Sequence, residues 1–386
     1  MSALPDDPRF AWDIFCRVVD NFGDIGVTWR LARGFARDHH LAVRLWVDDW
    51  EAFSRLCPRA RGMSGRIEID GIEVRQWGEP FPAVVPAENV IEAFGCDLPP
   101  AYVAAMAACN PKPVWINLEY LSAEPWVSEC HQLSSPHPRL PLLKHFFFPG
   151  FVAGTGGLLR EPGLLAARDR FQAGAGAQGA YLRTLGIAPA PAGARVVSLF
   201  AYENPALGAL LDAWAESDEP TLLLVPEGRV VAGVARHFGL SAAPAGSRFQ
   251  DRALDVRILP FVEQDAYDRL LWACDVNFVR GEDSFVRAQW AGRPFVWHIY
   301  HQDEEAHRVK LDAFLDLHVE GLDQQASAAL RGFWQAWNGR GDVASSWKHF
   351  CAARPQLLAH EQRWAHTLAA SSELASTLVQ FSKNGV

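Results

Sequence analysis

Residues 13–19 read DIFCRVV and residues 20–27 read DNFGDIGV. The first run is apolar enough for a buried strand, and the loop after it leads into a helix predicted over Val27–Asp38. A second strand is predicted at Ala42–Val47. Strand, loop, helix and strand in this order make a βαβ unit, and such units build parallel sheets with helices on both faces. Strands predicted at Val90–Phe94 and Val114–Leu118 extend the sheet. Ahead of them, Ile67–Val74 alternates with period two around Asp70-Gly71, the pattern of a hairpin.

The alternation restarts in the second half. Strands are predicted at Arg195–Phe200, Leu222–Val225, Val256–Leu259, Val276–Val279 and Phe295–His298. Helices are predicted at Ala206–Glu216, Val231–Phe238, Asp265–Ala273 and Phe285–Ala291, and the last 60 residues read as helices alone. Gln172–Gln178 and Ala188–Ala194 are Ala/Gly/Pro-rich and flank a short helical piece at Tyr181–Leu185, which marks a domain boundary. The expected domains are therefore 1–175 and 190–355, followed by helices over 356–386 that are open to packing back on the first domain. Two parallel α/β domains joined by a short hinge leave a cleft, and ligands in such sheets sit beyond the carboxyl ends of the strands.

Bulk composition narrows the function. At 386 residues, with 49% apolar and 21% charged residues, the chain can bury two large cores without disulfides. The seven cysteines are odd in number and form no C-x-x-C pair, and the thirteen histidines form no H-E-x-x-H, so no metal site is expected. The N-terminal MSALPDDPRF has neither a basic start nor an apolar run, and no stretch nears the ~20 apolar residues of a membrane span. A cytoplasmic protein fits best. A net charge of −9 weighs against general nucleic-acid binding. The fifteen tryptophans read mainly as core.

Two loops stand out. The first joins strand one to helix one and holds Gly23 and Gly26, where a dinucleotide-binding loop has its glycines, but it also holds Asp20 and Asp24. Carboxylates in a phosphate cradle repel the phosphate, so this loop suits a cation or proton transfer. Asp20, read as ending the buried strand, should point into the cleft, whereas Asp24 also suits a helix N-cap. Asp48 and Asp49, at the end of strand two, read as solvated acids. The second loop is Arg280-Gly281-Glu282-Asp283-Ser284, between a strand and a helix. The free N–H groups and dipole of that helix start form an anion site that fits a diphosphate, with Asp283 or Ser284 as cap. Glu282 could accept bonds from sugar hydroxyls, Phe261 could stack on a base, and Gln264 could pair with the base's polar edge. Phe200 and Tyr202 end the first strand of this half. The same residues also suit a plain capping turn and ordinary core packing.

Residues 12–16 and 19–32, with Trp115–Ser122, Ser198–Pro205 and Arg280–Phe285, resemble the EarP family, the protein-arginine rhamnosyltransferases of bacterial elongation factor P. The likeness covers nearly the whole chain. It implies an α/β fold of the GT-B type, two Rossmann-like domains facing across a cleft with a helical C-terminal tail. It implies dTDP-β-L-rhamnose as donor, held by the second domain, and an arginine of elongation factor P as acceptor, held by the first. Transfer would invert the anomeric carbon, with no metal or other cofactor. Carried over by motif, Asp20 is the catalytic carboxylate and Asp24 its essential neighbour. Glu282, Asp283 and Ser284 fall on the donor motif, the last two facing the diphosphate, while Phe261 and Gln264 lie around the thymine. Tyr202 is a donor-pocket aromatic, and Phe200 and Arg280 flank the same pocket. Two other readings of the residues stay open: a sugar-nucleotide epimerase or small-acceptor transferase, and a non-catalytic nucleotide-sugar sensor. The acidic first loop favours catalysis over the sensor, which has no use for a carboxylate there.

Overall fold

The computed structural model describes residues 10–19, 22–301 and 305–384. The chain divides into two compact units, Met1–Pro162 together with Ala369–Val386, and Gly163–Leu368.

The first unit holds strands β1 Trp12–Cys16, β2 Val43–Val47, β3 Arg66–Ile69, β4 Ile72–Gln76, β5 Asn89–Ala93, β6 Val114–Leu118, β7 Ser134–Pro136 and β8 Leu143–Phe147. Its helices are α1 Gly23–Asp38, α2 Trp50–Leu56, α3 Pro100–Ala108 and α4 Trp126–Cys130. The sheet order is β3-β4-β2-β1-β5-β6-β8-β7. Every neighbouring pair is parallel except β3·β4 and β7·β8 at the edges. From β1 the chain builds outward through β2 and β4, then returns to add β5, β6 and β8 on the other side. This is a doubly wound sheet whose order reverses between β1 and β5. The hairpin expected from sequence forms at Asp70 and Gly71, which have φ of +56° and +76°, the pair of left-handed residues that a tight turn of this kind requires.

β1 is buried along its whole length, yet its second residue is an aspartate. Its register partner on β2 is Arg44, which meets the Asp13 carboxylate through Nε at 2.6 Å and Nη2 at 2.7 Å. Both side chains are wholly buried. The indole of Trp46, the backbone N–H of Ala87 and the hydroxyl of Tyr102 also donate to Asp13. Burial and the adjacent carboxylate push the Tyr102 phenol well up, so it stays a donor. Arg44 donates further to the Val85 carbonyl at 2.9 Å. A buried ion pair is tolerated only when its polar atoms are met in this way. The network ties β1, β2, the segment before β5 and α3 into one core.

The second unit holds β9 Arg195–Leu199, β10 Thr221–Pro226, β11 Arg248–Asp251, β12 Leu254–Leu259, β13 Val276–Arg280 and β14 Phe295–His298, in the order β11-β12-β10-β9-β13-β14. Only β11, absent from the sequence prediction, runs antiparallel to its neighbour. The helices are α5 Leu164–Ala173, α6 Ala177–Thr184, α7 Leu207–Ala215, α8 Val230–His237, α9 Gln264–Ala273, α10 Asp283–Ala291, α11 Ala306–His318, α12 Gln324–Trp337, α13 Val343–Ala352 and α14 Arg354–Ala369. The order reverses between β9 and β13, so the two sheets share one winding. Most of the tryptophans serve as core, as expected: Trp12, Trp46, Trp214, Trp290, Trp334 and Trp337 are among the largest fully buried side chains, whereas Trp126 is exposed.

The structure moves two boundaries. The division falls at Pro162/Gly163, ahead of the Ala/Gly/Pro-rich stretches; α5 runs up to the first of them, α6 covers the short helical piece expected there, and both lie within the second unit. Gln172 donates to the Ala291 carbonyl at the end of α10, and Gln178 to the Ala273 carbonyl at the end of α9. The terminal carbonyls of a helix need such partners, and a few glutamines among small residues supply them without an apolar pattern. The C-terminal piece 356–386 is also divided. α14 belongs to the second unit up to Leu368, and the last helix, α15 Leu374–Lys383, belongs to the first. Ser382 Oγ donates to Asn89 at 2.5 Å, and the Phe381 ring lies 5.7 Å from Phe147. A Cβ on Gly157 (φ +77°) would run into the carbonyl of Ser372, so only glycine lets the chain before α15 dock there.

Among the described residues no helix is long and apolar enough to cross a membrane. Arg44→Met should destabilise the protein by about 3–5 kcal/mol, because it strands the Asp13 charge in the core. Urea unfolding followed by tryptophan fluorescence measures this, and an unchanged midpoint would show that the network is dispensable.

Candidate active site

The carboxyl ends of β9, β13 and β14 bring most of the predicted donor residues together. Arg280 is the last residue of β13 and is 3% exposed. Its guanidinium lies 4.7 Å from the ring centroid of Phe200 and 4.7 Å from that of Tyr202, both just beyond β9. Tyr202 in turn meets His298 at 5.3 Å and Tyr300 at 5.5 Å, and Phe200 meets Tyr267 at 5.7 Å. A flat, weakly hydrated guanidinium is well suited to this setting between rings. Burial and the nearby Arg280 charge hold the His298 imidazole down to about 4, so it is neutral at physiological pH. Burial, helped by Asp283, pushes the Tyr267 phenol well above its ordinary value.

α10 starts next to this cation. The expected cap is absent: the N-cap position is Glu282, whose side chain makes no capping bond. Ser284 instead reaches back to the end of β13. Its hydroxyl accepts from the Arg280 N–H at 3.1 Å and donates to the Arg280 carbonyl. This fixes the strand-to-helix turn, with Gly281 at φ +59°. Gln264 Nε2 donates to Asp283 at 3.2 Å, and Lys310 Nζ lies 3.3 Å from Glu282. Two acids at a helix start would spoil an anion site, but here Lys310 and Arg280 supply opposing charge. Phe261 is half-buried two residues beyond β12, three residues before Gln264.

The helix itself is held firmly. Arg287 on α10 forms a buried bidentate pair with Asp268 on α9, at 2.7 and 2.6 Å. Trp364 donates to Gln289 at 2.9 Å, and Arg168 to the Trp290 carbonyl at 2.9 Å. Sequence reading missed Tyr267, His298, Tyr300 and Lys310. His298 and Tyr300 follow the strand-end rule that found Phe200, whereas Lys310 comes from a distant helix and has no local signal.

In the first unit, β1 ends at Cys16, earlier than the predicted Val19. The predicted strand end at Asp20 is therefore not where β1 stops, and Asp20 and Asn21 lie outside the described residues. The approach to them is well fixed. Val18 N–H donates to Asp48 Oδ1 at 2.9 Å, and Val19 N–H donates to Asp24 Oδ2 at 2.8 Å. Asp24 is 3% exposed and sits in the first turn of α1, whose N-cap is Phe22. It is thus not the N-cap that its position suggested, since its carboxylate is turned to the preceding loop. Asp48 is half-buried and engaged, not a solvated acid, while Asp49 caps α2 through the Ala52 N–H. Two carboxylates thus hold the consecutive amides of Val18 and Val19. Among the described residues no group of three His, Cys, Asp or Glu is placed to hold a metal.

Comparison with known proteins gives this geometry its context. Residues 12–383 match the family described as elongation factor P (EF-P) rhamnosyltransferase EarP. A protein-arginine rhamnosyltransferase of Pseudomonas putida is 54% identical over 378 residues, covering 98% of this chain and 100% of that protein. One from Pseudomonas aeruginosa is 53% identical, covering 96% and 98%. A solved structure, described as the structural basis for EarP-mediated arginine glycosylation of translation elongation factor EF-P, superposes with a TM-score of 0.71 at 41% identity. It covers 98% of this chain and 100% of that one. A glycosyltransferase from Rickettsia africae, 10% identical with a TM-score of 0.51 and covering 98% and 99%, shares the fold alone. The family match over residues 12–383 and the likeness along the whole length agree: the chain belongs to the EarP family of elongation factor P rhamnosyltransferases.

Proposed function

We propose that this chain transfers L-rhamnose from dTDP-β-L-rhamnose to the side chain of one arginine of elongation factor P, with inversion at the anomeric carbon. The observation that carries the donor half is Arg280, a cation held over the rings of Phe200 and Tyr202 at the end of β13, where α10 begins. A cation and a helix N-terminus at a switch point suit the diphosphate of a nucleotide sugar. Glu282, braced by Lys310, would take sugar hydroxyls. Phe261 would stack on the thymine and Gln264 would bond its edge.

The acceptor sets the chemical problem. A guanidinium has a pKa above ~12 and an ordinary aspartate sits near ~4, so complete proton transfer before attack would cost about 11 kcal/mol. The reaction therefore runs without a free neutral arginine. Asp20, given the catalytic role by the family motif, orients the guanidinium by a charge-assisted contact. As the C–N bond forms and the anomeric C–O bond breaks, the nitrogen becomes acidic and its proton passes to Asp20. The electron pair of the broken bond leaves with dTDP, whose growing charge is met by Arg280 and the α10 N–H groups. The anomeric carbon passes through an oxocarbenium-like state. Asp24 and Asp48 act through the backbone: by holding the Val19 and Val18 amides they hold the loop that presents Asp20.

Incubating the protein with elongation factor P and dTDP-β-L-rhamnose should add one deoxyhexose to one arginine, read by mass spectrometry; donor consumption with an unmodified acceptor would overturn the assignment. Asp20→Asn should abolish transfer while donor affinity stays at the wild-type value, and turnover near the wild-type rate would remove Asp20 from the chemistry. Ser284→Ala should weaken donor binding roughly tenfold, because it frees the turn that aims Arg280 and α10. Unchanged affinity by calorimetry would place the diphosphate elsewhere.

A further inference from the structure

The run Trp115–Ser122 (WINLEYLS) has no role in the function proposed above, yet it surrounds an unusual piece of backbone in the first unit. β6 ends at Leu118, whose carbonyl accepts from the Phe94 N–H at 2.7 Å just past the end of β5. Phe94 has φ of +57°, and Gly95 after it +62°. Glycine occupies that region freely, but a bulky aromatic residue there is strained, and such strain persists where the surroundings over-determine it, often at functional sites. The surroundings are visible. Gly95 N–H donates to Asn117 Oδ1 at 3.2 Å, and Asn117 Nδ2 donates to Glu119 Oε1. The strained turn thereby aligns the Phe94 ring with Tyr120, at 4.6 Å between centroids and 18° between planes. Phe94, Glu119 and Tyr120 are all half-buried, so each keeps an accessible part.

Resting on the function proposed above, we propose that Phe94 and Tyr120 with Glu119 form the seat of the acceptor's guanidinium. A stacked aromatic pair with a carboxylate beside it is the set that a flat cation recognises, by cation–π contact on the rings and paired N–H bonds to the carboxylate. A lysine ammonium, compact and strongly hydrated, gains less from such a plane. The position also fits. β5 is the neighbour of β1 in the sheet, and β6 is the neighbour of β5. The seat thus stands at the carboxyl ends of the strands on one side of the reversal point, next to the strand whose loop leads to residue 20. Asn117 holds Glu119 and the turn in register and is a positioning residue.

A double-mutant cycle tests this with the full-length protein, dTDP and elongation factor P. Dissociation constants are measured for wild type, Tyr120→Leu and Glu119→Gln, each against the native acceptor and an acceptor with its target arginine changed to alanine. Each enzyme variant should bind the native acceptor about fivefold or more weakly, in line with cation–π and charge-assisted contacts. The penalty for losing the acceptor arginine should shrink by the same factor in each variant. Tyr120→Phe, which keeps the stack, should restore wild-type binding and reports that the site is folded. An arginine penalty equal in wild type and both variants would overturn the seat while leaving the transferase reading intact. A wild-type protein that modifies no arginine of elongation factor P would overturn the reading itself.

Discussion

The second unit depends on holding one charged group at the end of a strand. Arg280 is almost wholly buried, and a cation there is costly unless its environment is shaped for it. Phe200 and Tyr202 supply two ring faces, and Ser284 locks the backbone that carries it. Because β9 and β13 are neighbours at the reversal of the sheet, the rings and the cation come from different strands and can meet only there. The helix that follows must then start beside the cation, and its anchors are correspondingly strong: the buried Arg287–Asp268 pair, Trp364 on Gln289, and Arg168 on its last turn.

The first unit follows the same logic with the opposite sign. Its buried charge pair, Asp13 with Arg44, sits within the sheet and fixes β1 against β2. Beyond the end of β1, Asp24 and Asp48 grip successive amides of the loop. Carboxylates that accept backbone N–H bonds in this way are spent on geometry.

Much of this was legible in the sequence, for physical reasons. Parallel strands buried on both faces leave apolar runs, and those runs located β1, β2, β5, β6 and nearly every strand of the second unit. The Asp70-Gly71 turn announced its hairpin because few residue pairs accept two left-handed positions. The rule that ligands gather at strand ends brought Phe200, Tyr202 and Arg280 into view. What stayed hidden depends on partners far along the chain. Nothing near Asp24 reveals that it turns to Val19 rather than capping α1. Nothing near Glu282 points to Lys310, and short side chains over 172–194 conceal glutamines that cap α9 and α10. β11 is a short edge strand with half-exposed residues, which leaves little pattern to read.

The central claim is that the fixed cation at Arg280 and the start of α10 receive the leaving diphosphate. A crystal structure of the protein with intact dTDP-β-L-rhamnose tests it most directly. The account predicts diphosphate oxygens within hydrogen-bond distance of the Arg280 guanidinium or the first N–H groups of α10, with the thymine on Phe261 and the anomeric carbon turned toward Asp20. A diphosphate lodged away from both, or an Asp20 side chain directed into the core of its own unit, would contradict it.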